Sequence, residues 1–240
     1  MTALMIGLLG QGRLGMAIAQ EAQGSLQWQT GRGPIPPEPV AVAIDASAAE
    51  AVPAHLAWAL QTGTDLVIGT TGWELPDLED QVAGRIGVLV AANFSLAVAL
   101  MGRLALVLGR FAALDPERDL YLLEHHHRLK ADAPSGTAKT LAAAMMQGCP
   151  QKTGWILGPA APHQLSVAVV RAGTECGTHT LGMEGPAEVL EFTHRARSRR
   201  AFAQGALAAA SWIQGRKGVF TMDDLARETL DPLFAFGGQP

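Results

Sequence analysis

The sequence predicts an α/β protein, with an N-terminal, Rossmann-like doubly wound parallel sheet and a C-terminal α+β domain that contains a mixed or antiparallel sheet. Two observations indicate this arrangement. Short apolar runs alternate with helical stretches over about the first 95 residues, as they do in parallel sheets with crossover helices. Between residues 166 and 196, strand-like runs are instead separated by turn residues, which is typical of antiparallel strands.

The composition indicates a globular protein with one large or two small domains. Of its 240 residues, 48% are hydrophobic and 17% are charged, and the net charge of −4 gives no sign of a nucleic-acid or membrane partner. Cys149 and Cys176 have no metal-like spacing, so we expect a reducing, cytoplasmic location. No signal peptide is evident. Arg103 and Arg110 interrupt the apolar run 95–114, which favours a buried helix over a membrane span.

The first element is an apolar run, residues 3–9, that leads into "GQGRLG" and then into a helix. Strand, glycine turn and helix in this order form the setting of a dinucleotide-binding turn. Gly10 permits the tight turn, Gly12 allows a pyrophosphate to approach the backbone, and Gly15 lets the helix pack on the strand. A turn of purely structural purpose is the alternative. The candidate cofactor contacts here are Gly10, Gln11, Gly12, Arg13, Leu14 and Gly15.

Three further strands are expected at residues 40–44, 65–69 and 88–92, with a helix at 48–61. Because ligands of open α/β sheets lie at the carboxyl ends of the strands, the segments that follow the last two strands are candidate cofactor contacts. Ordinary strand-to-helix turns are the alternative. The candidates are Gly69, Thr70, Thr71, Ala92, Asn93 and Phe94.

The strand expected at residues 26–29 bears on the choice between NADH and NADPH. It is followed by "TGRG", without the acidic residue that NAD-preferring sites carry at this place. Arg32 could meet a 2′-phosphate there, so the sequence favours NADPH. The proline-rich connection at residues 33–39 has no evident chemistry.

The segment "EHHHRLKADAPSGTA", residues 124–138, continues an apolar run that is expected to be a strand reaching a cleft. On a period of two, one face of that strand would carry Glu124, His126, Arg128 and Lys130, and the other His125 and His127. Ser135 is a natural N-cap for the helix that follows. The first amides of that helix, at Gly136 and Thr137, would form an anion site.

The chemistry of this segment suits a small dianionic substrate that accepts a hydride and a proton. Lys130 offers a compact positive charge, and a histidine can donate a proton near neutral pH. Metal binding is an alternative, but adjacent residues on a strand point to opposite faces and the H-E-x-x-H spacing is absent. A solvated surface run is another. The isolated histidines are expected to be structural: His55, His163, His179 and His194.

The C-terminal part is expected to contain a helix with several arginines near its start, among them Arg199, which could bind a carboxylate although such arginines are usually solvated. The last segment begins with a capping-box-like stretch at residues 221–224 and is expected to return to the first domain. We therefore expect a dinucleotide-binding domain at residues 1–96 with 208–240, and a substrate-binding domain at 97–207.

These residues resemble a known family. "EHHHRLKADAPSGTA" is similar to the E-x-H-H-x-x-K-x-D-x-P-S-G-T-A signature of the 4-hydroxy-tetrahydrodipicolinate (dihydrodipicolinate) reductase family, and "VIGTTGW", "AANFSLAVALM", "VRAG", "GTHTL" and "EFTHRARSRRAFAQGA" follow in the family's order. The resemblance implies an NADH- or NADPH-dependent reductase of a cyclic dicarboxylate in diaminopimelate and lysine synthesis. It also implies a homotetramer joined through the mixed sheet of the second domain.

The resemblance implies roles for individual residues. His126 would donate the proton, and Lys130 would be its catalytic partner. The candidate substrate contacts are His127, Lys130, Ser135, Gly136, Thr137 and Arg199. The chain departs from many relatives in its shorter glycine turn and in the missing acid after the second strand, so the preference between NADH and NADPH stays open.

Two other functions are compatible with a dinucleotide-binding domain. One is another dehydrogenase of a small dicarboxylate, such as an aspartate-type dehydrogenase. The other is a non-catalytic dinucleotide-binding regulator, which would need a partner surface or a DNA-binding module that the sequence does not show. Turnover of aspartate would favour the dehydrogenase, whereas cofactor binding without turnover would favour the regulator.

Overall fold

The structure, a computed structural model, describes residues 4–35 and 38–235. Residues 1–3, 36–37 and 236–240, which include the start of the expected first strand and two prolines of the proline-rich connection, lie outside the described residues. The chain divides into two compact units. The first extends to Leu96 and resumes at Arg199, and the second comprises Ala97–Ser198.

A six-stranded sheet organises the first unit, and all its neighbouring strands are parallel. With strands numbered along the chain, its members are β1 (Ile6–Leu9), β2 (Leu26–Thr30), β3 (Val42–Asp45), β4 (Asp65–Ile68), β5 (Gly87–Val90) and β11 (Gly218–Thr221). The order across the sheet is β11-β5-β4-β3-β1-β2. The inner strands β1, β3 and β4 are short apolar runs buried on both faces, which is typical of parallel sheets.

Helices cover both faces of this sheet, so the predicted doubly wound sheet is confirmed. The helices of this unit are α1 (Arg13–Ala22), α2 (Val52–Thr62), α3 (Leu78–Val82), α6 (Arg200–Ile213) and α7 (Met222–Leu230), with 3-10 turns at Gln23–Ser25, Ala49–Ala51 and Asp231–Phe234. One apolar cluster joins α1 and α6 to one face, and another joins α2 to the opposite face.

The C-terminal segment returns to the first unit, as expected from the sequence. β11 pairs with β5, and α7 follows it directly. Thr221 caps α7 in a full capping box with Asp224, which confirms that local prediction. β11 and the short α3 were not predicted.

The second unit contains a five-stranded mixed sheet. Its helices are α4 (Leu96–Ala112), which begins at the last residue of the first unit, and α5 (Gly136–Gly148); its strands are β6 (Asp119–His126), β7 (Gly154–Leu157), β8 (Gln164–Arg171), β9 (Thr178–Glu184) and β10 (Val189–Arg195). The order is β10-β9-β6-β8-β7. Both helices pack on one face of this sheet through a buried apolar cluster.

The strands expected at residues 166–196 alternate in direction, and the predicted mixed or antiparallel sheet is confirmed, but β8 does not pair with β9. β9 is antiparallel to β10 and β6, but β8 is parallel to β6 and β7. The reason is that the connection after β8 crosses the tip of β6, where Ala172 N–H donates to the His126 carbonyl and His127 N–H donates to that of Glu175. β6 is therefore inserted between β8 and β9.

Two further expectations concern helices. The apolar run at residues 95–114 forms α4, whose buried face includes Met101, Ala105 and Leu108, and none of the described helices has an apolar stretch long enough to cross a membrane. The expected domain boundary at residues 207/208 falls inside α6, whereas the compact units divide at Ser198 and Arg199. α6 stays with the first unit because its buried alanines pack in the core of that sheet.

Candidate active site

A cavity of about 820 Å³ lies at the carboxyl ends of β1 and β3 in the first unit. This is the edge at which open parallel sheets bind their ligands. The lining comes from the turn after β1, the end of β2 and the segment after β3: Gly10, Gln11, Gly12, Gly31, Arg32, Ala46, Ser47, Ala48, Glu50, Ala51 and His55.

The glycines of the first turn allow a close approach to the backbone. Gly10 has a φ of 123°, and a β-carbon there would lie 2.2 Å from the Ala46 carbonyl oxygen. A β-carbon at Gly15 would lie 2.4 Å from the Gly10 carbonyl oxygen. Gly12 precedes α1, and a β-carbon there would meet nothing within 4 Å. Its backbone thus faces open space at a helix N-terminus, which fits the diphosphate of a dinucleotide.

The other candidates of this turn differ in exposure. Gln11 and Arg13 are exposed, while Leu14 is half-buried against the core. Arg32 is exposed on the cavity wall, beyond the end of β2. This position suits contact with the adenosine end of a dinucleotide.

A buried carboxylate that the sequence analysis did not assign lies beside this cavity. Asp45, at the end of β3, accepts hydrogen bonds from the Ser47 amide (3.0 Å) and hydroxyl (2.6 Å) and from the Thr70 hydroxyl (2.7 Å). Its second oxygen is 2.6 Å from His55 Nδ1. Burial raises the pKa of Asp45, but these contacts outweigh burial and lower it. Asp45 therefore ties together the segments after β3 and β4.

The candidates after β4 and β5 lie at the same edge of the sheet. Gly69 lies close to Phe94, so a β-carbon at Gly69 would be 2.4 Å from the Phe94 ring. α6 meets the same residue, since a β-carbon at Gly205 would be 1.7 Å from the Phe94 carbonyl oxygen. Thr71 and Ala92 are exposed, and Asn93 is half-buried. These segments are held in place by close packing of backbone and ring.

In the second unit, the tip of β6 meets the start of α5. The expected alternation holds along β6, where Glu124 and His126 both lie on the buried face. The strand ends at His126, so Lys130 belongs to the loop that follows rather than to the same strand face. Lys130 Nζ is 2.7 Å from the Asp132 carboxylate. His127 is half-buried at the strand end.

The start of α5 has the predicted N-cap. The Ser135 hydroxyl accepts a hydrogen bond from the Ala138 amide at 3.1 Å. Gly136 is exposed, and a β-carbon there would meet nothing within 4 Å. The positive end of the helix dipole lies at this exposed glycine, where it can attract an anion. Arg199 belongs to the first unit, where it is the N-cap residue of α6.

Glu124 is the centre of a buried polar cluster. Both its oxygens lie 3.1 Å from the Ser135 amide, Arg171 donates to one of them, and His179 Nε2 lies 3.7 Å from the other. Burial raises the pKa of Glu124, but His179, Ser135 and Arg171 outweigh it and hold that pKa well below its usual range. Glu124 is therefore an anion at neutral pH.

His126 is buried beside this carboxylate. Its Nδ1 lies 3.7 Å from Glu124 and, within the described part of the chain, has no hydrogen-bond partner. Burial lowers the pKa of His126 to about 4, the charges of His179, Lys130 and Arg171 act in the same direction, and Glu124 opposes them. The imidazole is therefore neutral at pH 7 in the free protein.

One grouping in this cluster resembles a metal site. Ligand atoms of Glu124, His126 and His179 lie within 4.8 Å of one another. The Arg171 guanidinium already bonds to the same carboxylate, and this positive charge disfavours a cation.

Two residues of this cluster were missed or assigned to structure alone by the sequence analysis. His179 was expected to be structural, and Arg171 was not assigned. β9 places His179 opposite Glu124, and β8 places Arg171 opposite His126. The sequence did contain a sign that Arg171 and His179 belong to the site, because they lie in "VRAG" and "GTHTL", two of the segments that carry the family resemblance.

Comparison with known proteins gives consistent results. Residues 8–94 match the family "Dihydrodipicolinate reductase, N-terminus", and residues 95–226 match "Dihydrodipicolinate reductase, C-terminus". The 4-hydroxy-tetrahydrodipicolinate reductase of Gluconobacter oxydans is 39% identical, with 93% of this chain and 97% of that protein covered. The enzyme of the same name from Magnetococcus marinus is 34% identical over 91% of this chain and 81% of its own length.

A solved structure supports the fold. The dihydrodipicolinate reductase of Paenisporosarcina sp. TG-14 superposes with a TM-score of 0.75 at 18% identity, covering 93% of this chain and all of that chain. The two family matches together span most of the sequence. This chain belongs to the dihydrodipicolinate reductase family.

Proposed function

We propose that this protein reduces 4-hydroxy-tetrahydrodipicolinate to tetrahydrodipicolinate with NADH or NADPH, in the synthesis of diaminopimelate and lysine. The observation that carries the proposal is that hydrogen bonds of Glu124 and Arg171 join the tip of β6, which carries His126, to the Lys130 loop and to the start of α5. The curated relatives bear the name of this activity and are similar over more than nine-tenths of the chain.

The first unit binds the dinucleotide, which supplies the hydride when bound. The backbone around Gly12 holds the diphosphate, and Arg32 lies where it can bind a 2′-phosphate. The segments that end in Thr71 and Phe94 line the nicotinamide end. Arg32 therefore favours NADPH, although the reaction is open to both cofactors.

The second unit binds the dicarboxylate substrate. Lys130 and the amides of Gly136 and Thr137 attract its carboxylates, and His127 and Ser135 border the same place. Arg199, the remaining candidate carboxylate ligand, belongs to the first unit. Two carboxylate-binding groups select a ligand with two acids and disfavour neutral rings.

The residues then assist a balanced reaction. Water leaves the hydroxylated ring, and hydride enters the resulting C=C–C=N system. The negative charge that develops towards the ring nitrogen is stabilised by Lys130 and the helix start. His126 donates a proton to the neighbouring carbon, which completes the addition of one hydride and one proton.

We also propose that the protein is a cytoplasmic homotetramer without a nucleic-acid or membrane partner. One face of the second sheet carries exposed apolar side chains, with Leu123 41% and Val170 48% exposed, and a second copy can cover them. Cys149 and Cys176 are both free, which suits a reducing compartment.

The test is the oxidation of NADH and of NADPH, followed by absorbance, with the substrate supplied by a synthase acting on pyruvate and aspartate semialdehyde. Substrate-dependent oxidation is expected, with NADPH used more efficiently than NADH. Turnover of aspartate with oxidised cofactor instead would indicate an aspartate-type dehydrogenase. Cofactor binding with neither reaction would indicate a non-catalytic regulator.

A further inference from the structure

Glu124 links every segment that forms the proposed substrate site in the second unit. Its side chain is completely buried. It accepts the amide of Ser135, where α5 begins, and a hydrogen bond from Arg171 on β8. Arg171 also donates to the Asp132 carbonyl at 2.6 Å, in the loop that carries Lys130. One carboxylate thus anchors the helix start and the lysine loop to the tip of β6.

His126 has one nitrogen that needs a partner. Nδ1 is buried without a hydrogen bond among the described residues, and Glu124 Oε2 is 3.7 Å away. Buried imidazole nitrogens are usually hydrogen-bonded, and a short movement of the ring would close this gap. The other nitrogen, Nε2, borders Gly177, where a β-carbon would lie 3.0 Å from it. The lack of a side chain at Gly177 keeps this side of the ring uncrowded.

We propose that Glu124 is a positioning residue that accepts the Nδ1–H of His126, so that Nε2 is the nitrogen that donates a proton to the substrate. This inference rests on the proposed function. When the imidazolium gives its Nε2 proton to the substrate carbon, the neutral ring keeps its Nδ1 proton on the side of Glu124. Solvent then restores the Nε2 proton. A carboxylate that accepts the Nδ1–H of a catalytic histidine fixes the orientation and the tautomer of the ring, so that Nε2 transfers the proton.

The charge of Glu124 opposes the effect of several neighbouring groups on the pKa of His126. Lys130 from the loop, Arg171 from β8 and His179 from β9 lower the pKa of His126, in addition to burial, whereas Glu124 raises it. His194 on β10 lies opposite His179, one strand further away. Removal of the charge at position 124 therefore lowers the pKa of His126 further and reduces the fraction of imidazolium at neutral pH.

The direct test is Glu124→Gln. The amide oxygen of glutamine can still accept the Ser135 amide, but the charge is lost. We expect the alkaline limb of the pH profile of kcat/KM to move to lower pH, with about a tenfold loss at neutral pH for each pKa unit. KM for the cofactor should not change. Glu124→Asp, which keeps the charge, should keep the limb close to the wild-type position.

Glu188→Gln is the matched control, since Glu188 is an exposed residue of the same unit between β9 and β10. Its profile should equal that of the wild type. A Glu124→Gln enzyme with a folded spectrum and an unmoved alkaline limb would overturn the inference. A wild type without substrate-dependent oxidation would instead overturn the proposed function.

A second measurement needs neither turnover nor a folded Glu124 variant. In wild-type protein with ¹⁵N-labelled imidazole rings, NMR reports which nitrogen of His126 carries the proton, and His126→Gln assigns the signal. We expect the Nδ1–H form in the free protein at neutral pH. An Nε2–H ring with a bare Nδ1 would contradict the role of Glu124, whatever the activity.

Discussion

His126 carries no proton to donate in the free protein at neutral pH, because burial lowers its pKa to about 4. A dianionic ligand beside the ring raises that pKa, since an opposite charge stabilises the imidazolium. The proton is therefore acquired together with the substrate. In the proposed mechanism His126 is therefore a neutral imidazole before the substrate binds and an imidazolium, which can act as an acid, once the substrate is bound.

This leads to a prediction about proton uptake. Dipicolinate, the ligand in the Paenisporosarcina structure, serves as a dianionic probe. Binding at pH between about 6 and 7 should be accompanied by net proton uptake at His126, because the pH lies above the free pKa of about 4 and the dianion raises that pKa. Calorimetry in two buffers of different ionisation enthalpy measures the uptake. Equal uptake by wild type and His126→Gln would contradict the assignment.

The two proposed catalytic residues give a second prediction. His126→Gln removes the proton donor, and Lys130→Ala removes the neighbouring positive charge. Each should lower kcat by about 10²–10⁴-fold, the usual contribution of a general acid. Cofactor affinity, measured by fluorescence titration, should stay within twofold of wild type by our estimate, since both residues lie in the second unit. His163→Gln, at an exposed residue, is the control. Wild-type turnover in His126→Gln or in Lys130→Ala would contradict the assignment.

The candidate site was recognisable from the sequence where its residues lie close together in the chain. Residues 124–138 contain His126, Lys130 and the start of α5, the proposed proton donor, cation and anion site. Arg171 and His179 join the site only because β8 and β9 flank β6 in register. Strand neighbours of this kind follow from tertiary pairing, which the local sequence pattern does not specify.

At the scale of elements, continuous apolar runs were sufficient to predict most strands of the first sheet. β7 and β11 were missed because they are short and mostly half-buried or exposed, which weakens any periodic signal. The neighbours of β8 were not predicted, because the alternation within a strand does not specify which strands flank it. The connection after β8 crosses the tip of β6, so that β6 lies between β8 and β9.

Helix α6 supports the cofactor edge of the first sheet, and this packing gives a third prediction. A β-carbon at Gly205 would lie 1.7 Å from the Phe94 backbone oxygen. Gly205→Ala should lower the free energy of unfolding by several kcal/mol. The atom that the new methyl group meets belongs to the backbone, which cannot move aside as the end of a flexible side chain does. Chemical denaturation measures the change.

Gly102→Ala is the matched control for this packing. Gly102 lies within α4, and a β-carbon there would meet nothing within 4 Å. This change should stabilise the protein by about 0.5–1 kcal/mol, because alanine is the better helix former. Destabilisation by both substitutions to the same extent would contradict the packing argument.

At the scale of the whole molecule, the exposed face of the second sheet gives a fourth prediction. Leu123→Asp places a charge among exposed apolar side chains that a second copy is proposed to cover. The variant should dissociate to smaller species in light scattering with size exclusion. Leu114→Asp, at a residue 78% exposed outside the sheet, should keep the wild-type assembly. An unchanged mass for Leu123→Asp would count against this interface.

The central claim is that the protein transfers a hydride to the substrate ring, and isotope transfer tests it most directly. The reduced cofactor is labelled with deuterium at nicotinamide C4, in each stereochemical form in turn. The substrate is supplied by the synthase, and the reduced product is analysed by mass spectrometry. One of the two labelled forms should yield product heavier by one deuterium. Unlabelled product from both forms, despite oxidation of the cofactor, would contradict the proposed reduction.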